Sequence, residues 1–283
     1  MAGNHAQFIQ SGYIASTPGL HLRTAATICD SSIFKCRLCP QDQTVLLTSP
    51  KNQQLYTALN DDAFANTYFA HTVGLSVVSR PRLISTFYLL REAILAVPGD
   101  VVETGVFMGG SGIMMANVMK DWDPCGRRYF GFDSFQGLPQ PVKEDALGTT
   151  NIGAQGLFAA GVDIVKANFA KHGVDDPKLV QLIPGWFNES LPTAPVDHIA
   201  FLRLDGDLYI STWEALIYLY PKVAPGGLIY VDDYGSFNGC KVAVDKYRSM
   251  HRIAAPLHWI REPGNYVEAV WWRKDYEIQY MQD

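Results

Sequence analysis

The chain has 283 residues, 48% of them hydrophobic and 18% charged, and a net charge of −5. That is room for one large α/β domain with an appendage; the composition excludes a disordered chain, and the charge argues against a nucleic-acid or anionic-membrane partner. No run approaches the roughly 18–20 apolar residues of a membrane helix, the first residues lack the basic and apolar parts of a secretory signal, and five cysteines, few and odd, favour a reducing, cytosolic setting.

Residues 1–60 show no hydrophobic period, so residues 1–70 read as an N-terminal extension or lid and 71–283 as the main domain. Within the extension, Cys36-Arg-Leu-Cys39 is a C-x-x-C preceded by Cys29. A structural zinc site needs four ligands, usually from two such pairs; with only His21 as a strained fourth, ordinary thiols are expected.

Arg82–Val97 reads as an amphipathic helix with Leu83, Phe87, Leu90 and Ile94 on one stripe, stopped by Pro98-Gly99. A strand over Asp100–Glu103, a glycine-rich turn and a helix over Ile113–Lys120 follow, then a strand over Arg128–Asp133. Gln136–Phe158 is a polar insertion with the marks of a loop near the site. Val162–His172 is a helix with Val165 and Phe169 inward, and Leu179–Pro184 and Ala200–Leu204 are strands. Ser211-Thr-Trp-Glu214 has the pattern of a capping box opening a helix to Tyr220. Pro225-Gly226-Gly227 reads as a turn into strand Leu228–Val231, Asn238 as the cap of a helix carrying Cys240, Val244 and Tyr247, and strands near Leu257–Ile260 and Val267–Trp272 end the sheet. Strands alternating with helices predict a parallel sheet covered on both faces.

Four of these apolar runs end in acids: Glu103, Asp133, the Asp205/Asp207 pair, and Asp232-Asp233. In an open α/β sheet that gathers them at the carboxyl edge, where ligands bind. So much negative charge repels a phosphate-bearing cofactor and suits a sulfonium or a divalent metal. The turn itself, Glu103-Thr104-Gly105 through Gly109-Gly110-Ser111-Gly112, lacks the dinucleotide spacing G-x-G-x-x-G and any basic residue. Glycines there let a ligand approach the backbone, and Asp133 stands where a carboxylate can accept both hydroxyls of an adenosine ribose. Asp205, Asp232 and Asp233 end consecutive strands, which are usually neighbours, and three carboxylates so placed form a hard-oxygen metal site. Arg203 lies on the same strand face as Asp205 and can offset charge; Asp207 reads as a helix cap. Trp186, directly after a strand, can flank an adenine, with a core role equally open. His71, His198, His251 and His258 read as structural or exposed.

The segments Val102-Glu-Thr-Gly-Val106, Asp133-Ser-Phe-Gln-Gly-Leu-Pro139, Gly185-Trp-Phe-Asn-Glu-Ser-Leu-Pro192, Leu202-Arg-Leu-Asp-Gly-Asp-Leu-Tyr209 and Val231-Asp-Asp-Tyr234 resemble the macrocin O-methyltransferase family, over about residues 70–273. The resemblance implies a Rossmann-like class I methyltransferase fold, a seven-stranded sheet with its last strand antiparallel. It implies S-adenosylmethionine and Mg²⁺ as cofactors and a small-molecule acceptor, a sugar hydroxyl of an antibiotic. Family cofactor contacts map onto Glu103, Gly105, Asp133, Ser134, Gly185 and Trp186, and the metal acids onto Asp205, Asp232 and Asp233, with Asp205 also the candidate proton acceptor. Met108 stands where the family usually has arginine and Ile210 where it often has glutamate. A carboxylate or amine acceptor, a nicotinamide-dependent dehydrogenase and a non-catalytic scaffold are the rival readings, and a homo-oligomer is compatible with the sequence.

Overall fold

The computed structural model describes residues 62–123, 125–146 and 153–275; Cys29, Cys36, Cys39 and His21 lie outside them. In chain order the elements are α1 (Asp62–Phe69), α2 (Arg80–Ala96), β1 (Asp100–Thr104), α3 (Gly110–Trp122), β2 (Tyr129–Asp133), α4 (Val162–Lys171) and β3 (Val180–Pro184). Then come the single turn α5 (Phe187–Ser190), β4 (Ile199–Leu204), α6 (Tyr209–Leu219), β5 (Val223–Val231), α7 (Asn238–Met250), β6 (His258–Arg261) and β7 (Val267–Arg273). They build a seven-stranded sheet of order β3-β2-β1-β4-β5-β7-β6. β1 to β5 are mutually parallel, and β7 runs antiparallel to both its neighbours.

Successive strand residues point to opposite faces, so each apolar run feeds two cores. Val101, Tyr129, Phe201 and Tyr230 pack with Phe87, Ile113 and Phe169 beneath the helices of one face. Val102, Phe130, Leu202 and Ile229 pack with Leu216, Val244 and Trp272 on the other. The stripe Leu83, Phe87, Leu90 and Ile94 on α2 is buried as expected. That helix starts two residues earlier than the pattern suggested because Pro81 fits a helix's first turn, where no N–H partner is needed. α1 falls inside the stretch read as an extension, yet Ala65, Tyr68 and Phe69 are buried in the first core.

Local signals were less faithful than the apolar period. The capping box fails: α6 begins at Tyr209, which places Ser211 and Glu214 inside the helix. Asn238 is the first residue of α7 rather than its cap. Pro225-Gly226-Gly227 does not break β5, which passes through as one strand with a register shift against β4. There the Gly226 N–H donates to the Lys274 carbonyl at 2.9 Å. Asp207 caps nothing either. The Tyr209 N–H at the start of α6 donates instead to Asp145 Oδ1 at 2.8 Å, and the Val142 N–H to Asp145 Oδ2 at 2.8 Å. Asp145 comes from the insertion and is buried, and it reaches this place because Gly239, at the start of α7, carries no side chain to meet it.

After β3 at one edge the chain returns to lay β4 on the far side of β1. This reversal leaves a crevice above β1 and β4, the usual ligand position in such sheets.

Candidate active site

A cavity of about 470 Å³ opens over that crevice. Of the residues singled out in the sequence, Gly105, Gly110, Ser111, Asp133, Ser134, Trp186, Asp205, Asp232 and Asp233 line it. Glu103, Thr104, Gly109 and Gly185 do not line it. Arg82, Asp207, Glu189, Glu214, Glu268, Leu138, Phe158 and Phe237 complete much of the wall. Of these, Asp207 and Glu214 were marked in the sequence for their chemistry, both in capping roles. Nothing local distinguishes Arg82 from other helix-start arginines.

Asp133 acts first on the chain itself. Its Oδ2 accepts the N–H groups of Val106 (2.7 Å) and Phe107 (3.0 Å), and Oδ1 accepts that of Phe135 (2.7 Å). Phe107 and Phe135 both hold positive φ, 50° and 54°, a backbone state that costs non-glycine residues free energy. One carboxylate therefore pins the glycine loop and the turn after β2, with lone-pair capacity left on Oδ1. Ser134 reinforces the second turn, donating to the Gly137 carbonyl at 2.8 Å. We expect Asp133→Ala to lower stability by roughly 2–4 kcal/mol, since charge-assisted hydrogen bonds are lost, and, on the cofactor role that the resemblance implies, to weaken S-adenosylhomocysteine binding at least about tenfold. Calorimetry and thermal melts check both; a variant with unchanged Tm would reduce Asp133 to a ligand contact.

The acids meet at the ends of β4 and β5. One carboxylate oxygen from each of Asp205, Asp232 and Asp233 lies within 4.8 Å of the others. Asp232 is gripped from two sides, by Arg203 Nη2 on Oδ1 at 2.7 Å and by Arg82 Nη1 on Oδ2. Arg203 Nη1 contacts Asp205 Oδ2. Asp233 Oδ2 accepts the Asp207 N–H at 3.0 Å. Burial, reinforced by Asp207, Asp205 and Asp232, pushes the Asp233 carboxyl well above the usual range. Burial with Asp205 and Asp232 does the same to Asp207. Two guanidiniums thus leave this corner short of positive charge, and a hard divalent cation fits the oxygen-only donor set.

Glu103 is fully buried beneath the glycine loop. Its Oε1 accepts Ser111 Oγ at 2.6 Å and Arg203 Nη1 at 3.0 Å, and Tyr129 Oη bonds Oε2. Burial pushes its carboxyl up to about 7, against the pull of Arg203 and the two hydroxyls.

A parallel sheet extended by one antiparallel strand, with a pocket over its switch point and no cation in the turn after β1 to receive a phosphate, is the framework of a Rossmann-like class I methyltransferase. The family model of macrocin O-methyltransferases matches residues 42–274, and the chain belongs to that family; it is an S-adenosylmethionine-dependent O-methyltransferase.

Among curated relatives, demethyldecarbamoylnovobiocin O-methyltransferase of Streptomyces niveus is 43% identical over 60% of this chain and 66% of its own. An 8-demethyl-8-(2,3-dimethoxy-alpha-L-rhamnosyl)-tetracenomycin-C 4'-O-methyltransferase of Streptomyces olivaceus is 38% identical over 71% and 76%. The mycinamicin III 3''-O-methyltransferase of Micromonospora griseorubida is 34% identical over 72% and 80%. The solved structure of the O-methyltransferase NovP aligns over 71% of this chain and 83% of its own, at 38% identity and a TM-score of 0.63. The dehydrogenase reading is thereby overturned.

Proposed function

We propose that this enzyme methylates a hydroxyl of an uncharged sugar, one of two vicinal oxygens, on a small molecule of secondary metabolism, with S-adenosylmethionine as donor and Mg²⁺ as the metal. The observation that carries this reading is the three-carboxylate cluster set beside the glycine loop in one cavity. Gly105, Gly110, Ser111, Asp133, Ser134 and Trp186 form the half of the wall suited to adenosine and its amino-acid tail. One named relative acts on a rhamnosyl-tetracenomycin, which agrees with a sugar acceptor.

Charge narrows the acceptor. Arg82 is the one basic residue lining the cavity among the described residues, and Asp232 already holds it. A carboxylate or a diphosphate-bearing acceptor would enter a wall carrying Asp133, Asp205, Asp207, Asp232, Asp233, Glu189, Glu214 and Glu268, with no unpaired basic side chain among the described lining residues and only the metal to offset that charge. An uncharged hydroxyl avoids that repulsion. The apolar stretch of Leu138, Pro139, Phe158 and Phe237 offers a surface for the rest of the acceptor.

In the mechanism, Asp205, Asp232 and Asp233 would hold the cation. When bound, it supplies Lewis-acid charge that lowers the pKa of the acceptor hydroxyl. The wall excludes water and fixes the hydroxyl in line with the methyl group, so that positioning supplies much of the rate. The hydroxyl proton passes to a wall carboxylate. Asp205 is one candidate, through the oxygen that Arg203 does not hold; Asp207, outside the three-acid cluster and with no ion pair among the described residues, is the other. The test is methyl transfer by the purified enzyme, followed by mass spectrometry, to a neutral glycoside and to the corresponding nucleotide-activated sugar. Methylation of the nucleotide sugar with the glycoside untouched would overturn the charge argument.

A further inference from the structure

The glycine-rich motif looks like cofactor machinery from end to end, but its two ends face elsewhere. Sheet register sets Glu103 directly beside Arg203, and Arg203 beside Tyr230, on the face beneath α2 and α3. On Glu103's other side the neighbour is Gly131, and the Tyr129 ring lies over it: an added Cβ on Gly131 would come 2.9 Å from Tyr129 Oη. The same hydroxyl and Glu103 Oε2, 2.9 Å away, fill the space a Cβ on Gly112 would need. The last glycine of the motif therefore makes room for a buried carboxylate–tyrosine pair and not for a ligand. Neither Glu103 nor Arg203 has any exposed surface. Arg203 uses Nη1 on Glu103 and Asp205 and Nη2 on Asp232, so one planar fork spans two of the three metal acids while Glu103, held by Ser111 and Tyr129, anchors the fork from behind.

We infer that Glu103 and Arg203 are positioning residues of the metal site: the anchored guanidinium fixes the spacing and orientation of the Asp205 and Asp232 carboxylates, with Arg82 holding the second oxygen of Asp232. Resting as it does on the metal reading above, this gives the acid of the glycine motif a task at the far side of the cavity. A lysine cannot replace the fork, because a point charge cannot hold two carboxylates at a set separation through two parallel donors.

The test uses the full chain and two titrations, Mn²⁺ by electron paramagnetic resonance and S-adenosylhomocysteine by calorimetry. Arg203→Lys is expected to lower Mn²⁺ affinity about tenfold or more, and Glu103→Gln severalfold, with S-adenosylhomocysteine affinity held within about threefold. In turnover, the Mg²⁺ concentration for half-activation should rise more than kcat at saturating Mg²⁺ falls. Tyr129→Phe keeps the ring and removes only the hydroxyl on Glu103, so it carries the same expectation on a smaller scale should Arg203→Lys fail to fold. Wild-type Mn²⁺ affinity in the folded Arg203→Lys protein, or in Tyr129→Phe where the lysine variant does not fold, overturns the proposal. So does a Glu103→Gln protein that loses S-adenosylhomocysteine affinity and keeps Mn²⁺ affinity. A wild-type protein that takes up no Mn²⁺ instead overturns the metal reading itself.

Discussion

Chelation of the divalent cation is expected to cut turnover about a hundredfold or more, roughly 3 kcal/mol of transition-state stabilisation, and Mg²⁺ is expected to restore it. The reason is the acceptor: an aliphatic hydroxyl is far too weak an acid for a lone carboxylate to deprotonate near neutrality. S-Adenosylhomocysteine affinity should survive chelation, because the glycine loop and Asp133 do not depend on the acids at β4 and β5. The same contrast separates two neighbouring carboxylates. Asp205→Asn should lose both Mn²⁺ uptake and turnover, whereas Asp207→Asn should retain Mn²⁺ uptake and lose about a hundredfold in kcat only where Asp207, rather than Asp205, is the proton acceptor. Full activity in excess EDTA would leave the acid cluster without a role in the chemistry, and an Asp207→Asn enzyme as fast as wild type would return the proton to Asp205.

The second large effect is expected from one methyl group. Gly105 opens the turn after β1 at φ 88°, and a Cβ there would overlap the backbone carbonyl of Asp205. Both partners of this contact are main chain, so no side-chain rotation relieves it. Gly105→Ala should cost roughly 3 kcal/mol from the left-handed backbone and the overlap together, about 6–12 °C in Tm. It should also displace the glycine loop and Asp205, impairing cofactor binding through the first and cation binding through the second. Gly156 is the matched control: its φ is 78°, but nothing lies within 4 Å of an added Cβ. Gly156→Ala should cost only about 1 kcal/mol. Equal melts for the two variants would show that backbone hand alone, not the close approach of β1 to β4, accounts for Gly105.

Both predictions draw on a sheet edge that was readable in the sequence, since an apolar run ending in an acid is a signal carried by a single strand. Strand order then brought Asp205, Asp232 and Asp233 together as the rule of neighbouring consecutive strands implied. What stayed hidden depends on partners far apart in the chain. Arg82 reaches Asp232 across 150 positions, and Asp145 fills a cap that Ser211, Asp207 and Glu214 seemed to supply locally. Glu103 was visible as an acid in a ligand-binding motif, but its pairing with Arg203 and Tyr129 is a matter of sheet register. Short polar patterns misled for a physical reason: a helix start is satisfied by whatever acceptor lies nearest in space, and sequence proximity is a weak guide to that.

Asp145 also bears on how such an enzyme can change its acceptor. One buried carboxylate ties the insertion to the start of α6, using backbone donors at Tyr209 and Val142 and space left by Gly239. On either side of that tie, residues can be added, removed or exchanged with little effect on the helix that follows the metal-binding strand. Loops carry variation at low cost when their ends are fixed. Descendants of this chain could therefore explore new acceptors by remodelling residues around 140–144 and 153–155, while the chemistry at the sheet edge is inherited unaltered.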